Sequence, residues 1–237
     1  MRAVILAGGK GTRLAPFTTI LPKPLMPIGD YPILEVVIRQ LKRTGFDRIT
    51  MAVGYLGELI EAFFRNGEKW GIRIDYSRED KPLGTAGPLS LMDGLEGDFL
   101  VMNGDILTDL DFKAFMDYHR ENGAVATIGV FDKRVRIDLG VVKMGEEYTI
   151  SDYVEKPELA YQVSMGVNAF HEKVLDFIPR DHYLDIPSLI KTLVKKGFMI
   201  KGYPFSGYWL DIGRKEDYEV AIDQFERMKG VFLGEES

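Results

Sequence analysis

Four apolar residues near the start of the chain, Val4-Ile5-Leu6-Ala7, lead straight into Gly8-Gly9-Lys10-Gly11-Thr12-Arg13-Leu14, and Lys23-Pro24 follows ten residues after Arg13. Three glycines within four positions let backbone N–H groups approach a bound phosphate closely, and the arginine and lysine stand ready to hold its charge. The segment points to a nucleoside triphosphate as ligand. A Walker loop, G-x-x-x-x-G-K-[ST], occurs nowhere in the chain. A dinucleotide fingerprint would need a third glycine where this chain has Leu14. Read alone, the loop also fits a plain glycine-rich turn between a strand and a helix.

At 237 residues, 46% of them hydrophobic and 28% charged, the chain is expected to form one soluble globular domain with a large core. No apolar stretch approaches the ~18 residues that cross a bilayer. The N-terminus does not read as a signal peptide, because its apolar run is short and opens into the glycine loop. With no cysteine, disulfides, zinc–thiolate sites and cysteine nucleophiles are excluded, and a cytoplasmic setting is the expectation. The three histidines, His119, His171 and His182, are too few for a multi-histidine centre, so any divalent metal falls to carboxylates, which favours Mg²⁺. A net charge of −6 argues against nucleic acid or an anionic membrane as partner. It says nothing against an anionic small molecule held in a locally cationic cleft.

Hydrophobic periodicity predicts a helix over about 32–44 and a strand at 48–53. A second helix follows, carrying Leu56 to Phe64 and stopped at Asn66-Gly67, and then a strand from Ile72 to Tyr76. Phe99 to Met102 reads as a buried central strand. Asp111 is expected to cap a helix with Phe112, Phe115 and Met116, ahead of a strand at 124–130. This order predicts an α/β fold, Rossmann-like and doubly wound, with a mixed, mostly parallel sheet. From about 138 short strands (140–143, 148–154, 163–170) suggest a small antiparallel extension. A helix then starts near Asp185, with Pro187 in its first turn and Gly197 as its stop. A closing helix over about 214–228 is expected to bury Tyr218, Ala221, Ile222 and Phe225. With no repeat or linker, residues 1–237 read as a single domain. Residues 1–135 mainly serve the nucleotide, and 136–237 mainly the second substrate.

Several motifs carry chemistry. Asn103-Gly104-Asp105 follows the central strand, and in an open α/β sheet ligands bind beyond such carboxyl ends. Asp105 there is placed to hold Mg²⁺ against triphosphate oxygens, or is a turn aspartate. Leu83-Gly84-Thr85-Ala86-Gly87 can let a flat base lie against backbone, and Glu79 just upstream can accept hydrogen bonds from a base. Glu155-Lys156-Pro157 ends a strand, and Pro157 is expected to push Lys156 towards extended backbone. Asp211, in Tyr208-Trp209-Leu210-Asp211-Ile212-Gly213, supplies a second carboxylate on a short strand before the last helix. Two carboxylates converging from distant parts of the chain suit a Mg²⁺ site completed by substrate phosphates.

Taken together, LAGGKGTRL, PKPLMPIGDYPILE, LGTAG, NGD, VEKP, SMG and YWLDIGRKEDY span residues 6 to 218 and closely resemble the nucleotidyl transferase family of sugar-1-phosphate nucleotidyltransferases. The likeness is greatest to short forms acting as mannose-1-phosphate or glucosamine-1-phosphate guanylyltransferases. The resemblance implies the nucleotide-diphospho-sugar transferase fold, Mg²⁺ as cofactor, and an NTP plus a sugar 1-phosphate as substrates. It leaves homo-oligomerisation open. By the same resemblance Leu6, Ala7, Gly8, Gly9, Gly11, Thr12, Glu79, Gly84 and Thr85 contact the nucleotide. Arg13 and Lys23 bind and activate the triphosphate, while Asp105 and Asp211 hold the metal. Gly140, Glu155, Lys156, Ser164, Gly166, Val167 and Trp209 fall on the sugar-phosphate side. Glu79 favours GTP over UTP, dTTP or CTP.

The chain departs from the family where many relatives carry Asn-Ala-Gly-Ile-Tyr, since it has Ser164-Met165-Gly166-Val167-Asn168. It also ends soon after its last helix, so the C-terminal β-helix of longer relatives is not expected. Two rival classes are an NDP-sugar glycosyltransferase, for which Asp109-Leu110-Asp111 formally supplies a D-x-D metal motif, and a non-catalytic regulatory homologue. The second would usually have lost the loop arginine or a metal carboxylate, and this chain keeps both.

Overall fold

The structure is a computed structural model and describes residues 1–234. Its strands are β1 (Arg2–Ala7), β2 (Pro27–Ile28), β3 (Tyr31–Pro32), β4 (Arg48–Val53), β5 (Arg73–Arg78), β6 (Asp98–Asn103) and β7 (Ile106–Thr108). The second half adds β8 (Ala126–Arg136), β9 (Val141–Met144), β10 (Ile150–Val154), β11 (Glu158–His171), β12 (Ile200–Phe205) and β13 (Trp209–Asp211). The α-helices are α1 (Ile33–Arg43), α2 (Gly57–Phe64), α3 (Phe112–Asn122), α4 (Ile186–Lys195) and α5 (Lys215–Leu233).

Seven strands form one sheet in the order β12-β8-β11-β6-β1-β4-β5. All neighbours run parallel except β11, which is antiparallel to both β6 and β8. The mixed, mostly parallel sheet expected from the sequence is therefore present. Side chains alternate across it with period two. Ile5, Leu100 and Met102 enter a core on one face with Leu34, Val37 and Phe115. Val4, Phe99 and Val101 enter a second core on the other face with Leu189 and Leu193 of α4. Cover on both faces is why β1 and β6 read as continuous apolar runs. A smaller cluster joins α5 to the glycine loop through Leu14, Ile28, Ile212 and Phe225.

Local sequence sets the helix ends. At α3, the Asp111 Oδ1 accepts the N–H groups of Lys113 at 2.8 Å and Ala114 at 3.0 Å. Asp109 Oδ1 accepts the Tyr208 N–H at 2.7 Å. One oxygen of each carboxylate in the D-x-D triplet is thus engaged by backbone donors, a structural role that weakens the support for a glycosyltransferase. Replacing Asp111 with alanine should cost about 1 kcal/mol, the usual loss for an N-cap. For a chain of this size that lowers Tm by roughly 2–4 °C. Turnover should persist, and loss of metal-dependent activity in Asp111→Ala would restore the D-x-D reading.

Two features differ from expectation. Helix α5 runs on to Leu233, past a break at Met228 (φ −116°, ψ 18°), and the resumed turn stacks Phe232 on Phe225 with centroids 5.9 Å apart. Ile222 is 38% exposed rather than buried, because the packed stripe runs through Ala221, Phe225 and Phe232 and Ile222 lies about 100° away from it. The antiparallel extension comprises the long β8–β11 pair and the separate β9–β10 ribbon, whose apolar Met144, Ile150 and Tyr153 face outward. No helix among the described residues is long and apolar enough to cross a membrane.

Candidate active site

Two adjoining cavities open at the carboxyl ends of β1, β4 and β6. The larger, about 670 Å³, runs from Gly8 and Gly9 past Glu79 and Gly84 to Tyr183. The smaller, about 260 Å³, is walled by Gly9, Gly11, Thr12, Arg13 and Lys23. Leu6, Gly9 and Asp105 line both. A volume of this order suits one small-molecule ligand, with the second cavity extending the cleft towards the cations.

Two glycines of the loop answer to different constraints. Gly11 has φ +60°, and a Cβ there would lie 2.9 Å from Thr18 Cγ2, so the turn itself requires glycine. Gly9 has open space around the same position, so packing does not require glycine there, and the residue lines both cavities. Gly8 is bare because the Glu79 carboxylate lies against it. A Cβ at Gly8 would sit 2.7 Å from Glu79 Oε1, and one at Gly54 would sit 3.1 Å from the same atom. Glu79 Oε2 accepts the Leu83 N–H at 3.0 Å. Burial pushes the Glu79 carboxyl above its ordinary range, partly offset by that N–H.

Lys23 sits in a short 3-10 turn, and its ammonium is almost fully buried. It hydrogen-bonds Asp105 Oδ2 and lies 4.0 Å from Asp211 Oδ1. The two aspartates meet because β7 and β13 pair, with Asp211 opposite Ile106, and because the Ile212 N–H donates to the Asp105 carbonyl at 3.1 Å. Arg13 closes the group, since a Cβ at Gly213 would be 3.4 Å from its Nη1. Burial raises the Asp211 carboxyl above its ordinary value, Asp105 adds to this by repulsion, and Lys23 and Arg13 oppose it.

This donor set fits a hard divalent cation. Asp105 Oδ1 is buried with no hydrogen-bond partner, which is costly unless something binds it. No cluster of three or more metal-binding side chains occurs among the described residues, so a cation held by Asp105 and Asp211 would take its remaining ligands from phosphate and water. The raised Asp211 carboxyl also predicts a stability effect. A folded-state pKa above the unfolded value means that ionisation at neutral pH costs stability, which is recovered as pH falls towards the ordinary value of 3.8. Asp211→Asn should therefore raise the Tm of metal-free protein at pH 7 while reducing turnover. Thermal melts at pH 7 and pH 4 check this, and a lower Tm at pH 7 would contradict it.

Gly84 (φ +80°) and Thr85 line the larger cavity but are also tied to the segment before α4. A Cβ at Gly84 would lie 2.6 Å from the Leu184 carbonyl, and Thr85 Oγ1 accepts the Ile186 N–H at 2.8 Å. Among the residues assigned to the sugar phosphate, Gly166 (φ +71°) is packed so closely on Asn103 that a Cβ would be 2.7 Å from its Nδ2. Val167 is buried opposite Met102, and Ser164 Oγ accepts the Gly166 N–H at 3.4 Å. The Trp209 indole N–H donates to the Met165 carbonyl at 2.9 Å, so it holds that segment beside β13.

Gly140 lies under the ring of Tyr153, and Tyr153 donates to Glu155 at 3.3 Å. Glu155 and Lys156 are exposed and line neither cavity. Lys156 is not extended, as expected from Pro157, but left-handed at φ +47°. Pro157 disfavours the right-handed helical region at Lys156, and the tight reversal from β10 into β11 overrides the extended preference. The motifs gave no sign of Tyr55, Pro82, Pro88 and Tyr183, which also line the larger cavity. They come from loops that only the tertiary fold brings together.

The fold and cleft define an α/β protein in which a glycine loop faces paired carboxylates across two adjoining cavities. The chain belongs to the nucleotidyl transferase family, whose model matches residues 2–227. It is 36% identical to the UTP–glucose-1-phosphate uridylyltransferase of Synechocystis over 94% of its length and 62% of that protein. It is 35% identical to mannose-1-phosphate guanylyltransferase 1 of Arabidopsis thaliana, over 94% of this chain and 64% of the relative. The chain thus spans under two thirds of the length of these curated relatives. Among solved structures, HddC from Yersinia pseudotuberculosis superposes with a TM-score of 0.72 at 26% identity, covering 94% of this chain and 99% of HddC. A Bacillus anthracis structure, provisionally named a glucose-1-phosphate thymidylyltransferase, shares the fold with a TM-score of 0.77 at 24% identity over 94% of each chain.

Proposed function

We propose that this chain is a sugar-1-phosphate nucleotidyltransferase, joining an NTP to a sugar 1-phosphate with release of pyrophosphate, and that GTP is its preferred nucleotide. One observation carries the reading. Asp105, with a partnerless buried oxygen, lies at the junction of the two cavities with Lys23 and Asp211 around it. In this reading a phosphate oxygen of the sugar 1-phosphate attacks the α-phosphorus of the NTP in line with departing pyrophosphate, and no covalent intermediate with the protein is needed. Positioning and charge neutralisation supply the acceleration. Asp105 and Asp211 would hold Mg²⁺, which when bound neutralises and orients the triphosphate. Arg13 takes charge developing on the pyrophosphate, and Lys23 takes charge on the α-phosphate. The sugar 1-phosphate falls to Gly140, Glu155, Lys156 and the Ser164–Val167 segment. Residues 1–135 would then mainly serve the nucleotide and 136–237 the sugar phosphate, in a cytoplasmic enzyme without nucleic-acid or membrane partners.

The GTP preference rests on Glu79. A partly buried carboxylate in the cleft can accept both the N1–H and the N2–H₂ of guanine, whereas uracil and thymine present a single ring N–H. HddC was also solved complexed with GMP-PN, at 25% identity and a TM-score of 0.71. The Synechocystis relative carries UTP in its name, which makes the base the variable to test. Pyrophosphate release should be fastest with GTP in a panel of GTP, UTP, dTTP, CTP and ATP at equal concentration. Glu79→Gln should cut the GTP rate more than the others, on the order of 10-fold for a lost charged hydrogen bond. If UTP or dTTP far outpaces GTP, the base assignment fails while the transfer chemistry stands.

A further inference from the structure

The mouth of the larger cavity holds an aromatic side chain that neither the motifs nor the charge arrangement at Asp105 explains. Tyr183 lines that cavity yet is 68% exposed, and it stacks on no other aromatic ring among the described residues. Its backbone is held on both sides. The Leu184 N–H donates to the Leu83 carbonyl at 2.9 Å, and the Ala86 and Gly87 N–H groups both donate to the Leu184 carbonyl at 2.9 Å. The Asp181 N–H reaches Ser90 Oγ at 3.3 Å. Gly87 permits the close approach, since a Cβ there would lie 2.7 Å from the His182 carbonyl.

A second contact joins the cavity wall to the same loop. Lys81 and Asp181 form an ion pair at 2.9 Å, with both side chains more than half exposed. An exposed pair of this kind adds about 0–1 kcal/mol at most, so stability does not account for its place there. What the pair does is tie the Asp80–Pro82 wall of the cavity to the loop that carries Tyr183. Asp181 itself is left-handed at φ +56°.

We infer that Tyr183 is a stacking platform for the nucleobase, held over the cavity mouth by the Leu83–Leu184 backbone ladder and the Lys81–Asp181 clasp. This rests on the reading of the cleft as an NTP site and adds a division of labour to it. Every base has an apolar face, so Tyr183 supplies affinity without choosing among bases, and that choice is left to Glu79.

The test is steady-state kinetics together with equilibrium binding of GTP and UTP to the full chain. Tyr183→Ala should raise the KM and Kd for both nucleotides by about 10-fold, within the range that loss of a base-stacking ring produces. Turnover at saturating nucleotide should change by less than about 2-fold, because the ring does not meet the triphosphate. Tyr183→Phe should behave as wild type. Inorganic tripolyphosphate, which has no base, should inhibit wild type and Tyr183→Ala with equal Ki. Asp181→Asn should reproduce a smaller version of the Tyr183→Ala pattern. An unchanged nucleotide Kd in Tyr183→Ala overturns the platform, as does a tripolyphosphate Ki that rises in parallel, or a Tyr183→Phe variant as impaired as Tyr183→Ala. Wild-type protein that binds no NTP overturns the nucleotide reading and the platform together.

Discussion

Asp105→Asn should lower kcat by at least ~100-fold while leaving the protein folded. The substitution keeps the shape and retains a hydrogen bond to Lys23, but it removes the charge at the only buried carboxylate oxygen without a partner among the described residues. Loss of one preorganised stabilising group costs roughly 10²–10³ in kcat. The fold should tolerate the change because Asp211 lies 4.0 Å from Lys23 and remains to face its charge. With Asp105 neutral, the repulsion that helps to raise the Asp211 carboxyl also disappears. Circular dichroism and a thermal melt alongside kinetics separate the two effects. Near-normal turnover in Asp105→Asn would remove this residue from the chemistry.

Lys23→Ala should be nearly as damaging to turnover, at least ~100-fold, and more damaging to the fold. The ammonium is about 90% buried between Asp105 and Asp211, and its loss leaves two carboxylates facing each other without their closest cation. Removing one partner of a buried pair costs about 3–5 kcal/mol. Partial exposure of both aspartates should hold this case at or below the lower end of that range. A divalent cation can replace the missing charge for stability but not the contact with the α-phosphate proposed for Lys23. Added Mg²⁺ should therefore raise the Tm of Lys23→Ala more than that of wild type without restoring turnover. Equal Mg²⁺ shifts in the two proteins would contradict this.

Much of the fold was legible because the relevant signals are local. Leu34, Val37, Ile38 and Leu41 all point into one core, so α1 falls within a residue of its periodicity. Asp111 and Asp185 announce α3 and α4 because an N-cap is written in one side chain. What stayed hidden is set by pairing. Nothing local indicates that β11 inserts antiparallel between β6 and β8, nor that the chain beyond Met228 returns to stack Phe232 on Phe225. The same divide runs through the cleft. The glycine loop and Asp105 follow apolar strands and could be placed at a sheet edge from sequence. Asp211 joins them only through β7–β13 pairing, and Tyr183 arrives only because the Leu83–Gly87 segment zips against Leu184. Glu155 and Lys156 are marked by motif alone; they are exposed at the turn from β10 into β11 and line neither cavity, so their part in sugar-phosphate binding stays a proposal.

In the proposed reaction the cleft joins two phosphorylated substrates. Its most direct test is to incubate the chain and Mg²⁺ with GTP and mannose 1-phosphate or glucose 1-phosphate, following pyrophosphate and identifying the products by mass. The expected result is pyrophosphate and an NDP-sugar formed in equal amounts, only when both substrates are present and not when the free sugar replaces its 1-phosphate. Nucleotide cleavage without any sugar 1-phosphate, or no pyrophosphate with any pairing of NTP and sugar 1-phosphate, would rule out the proposed transfer.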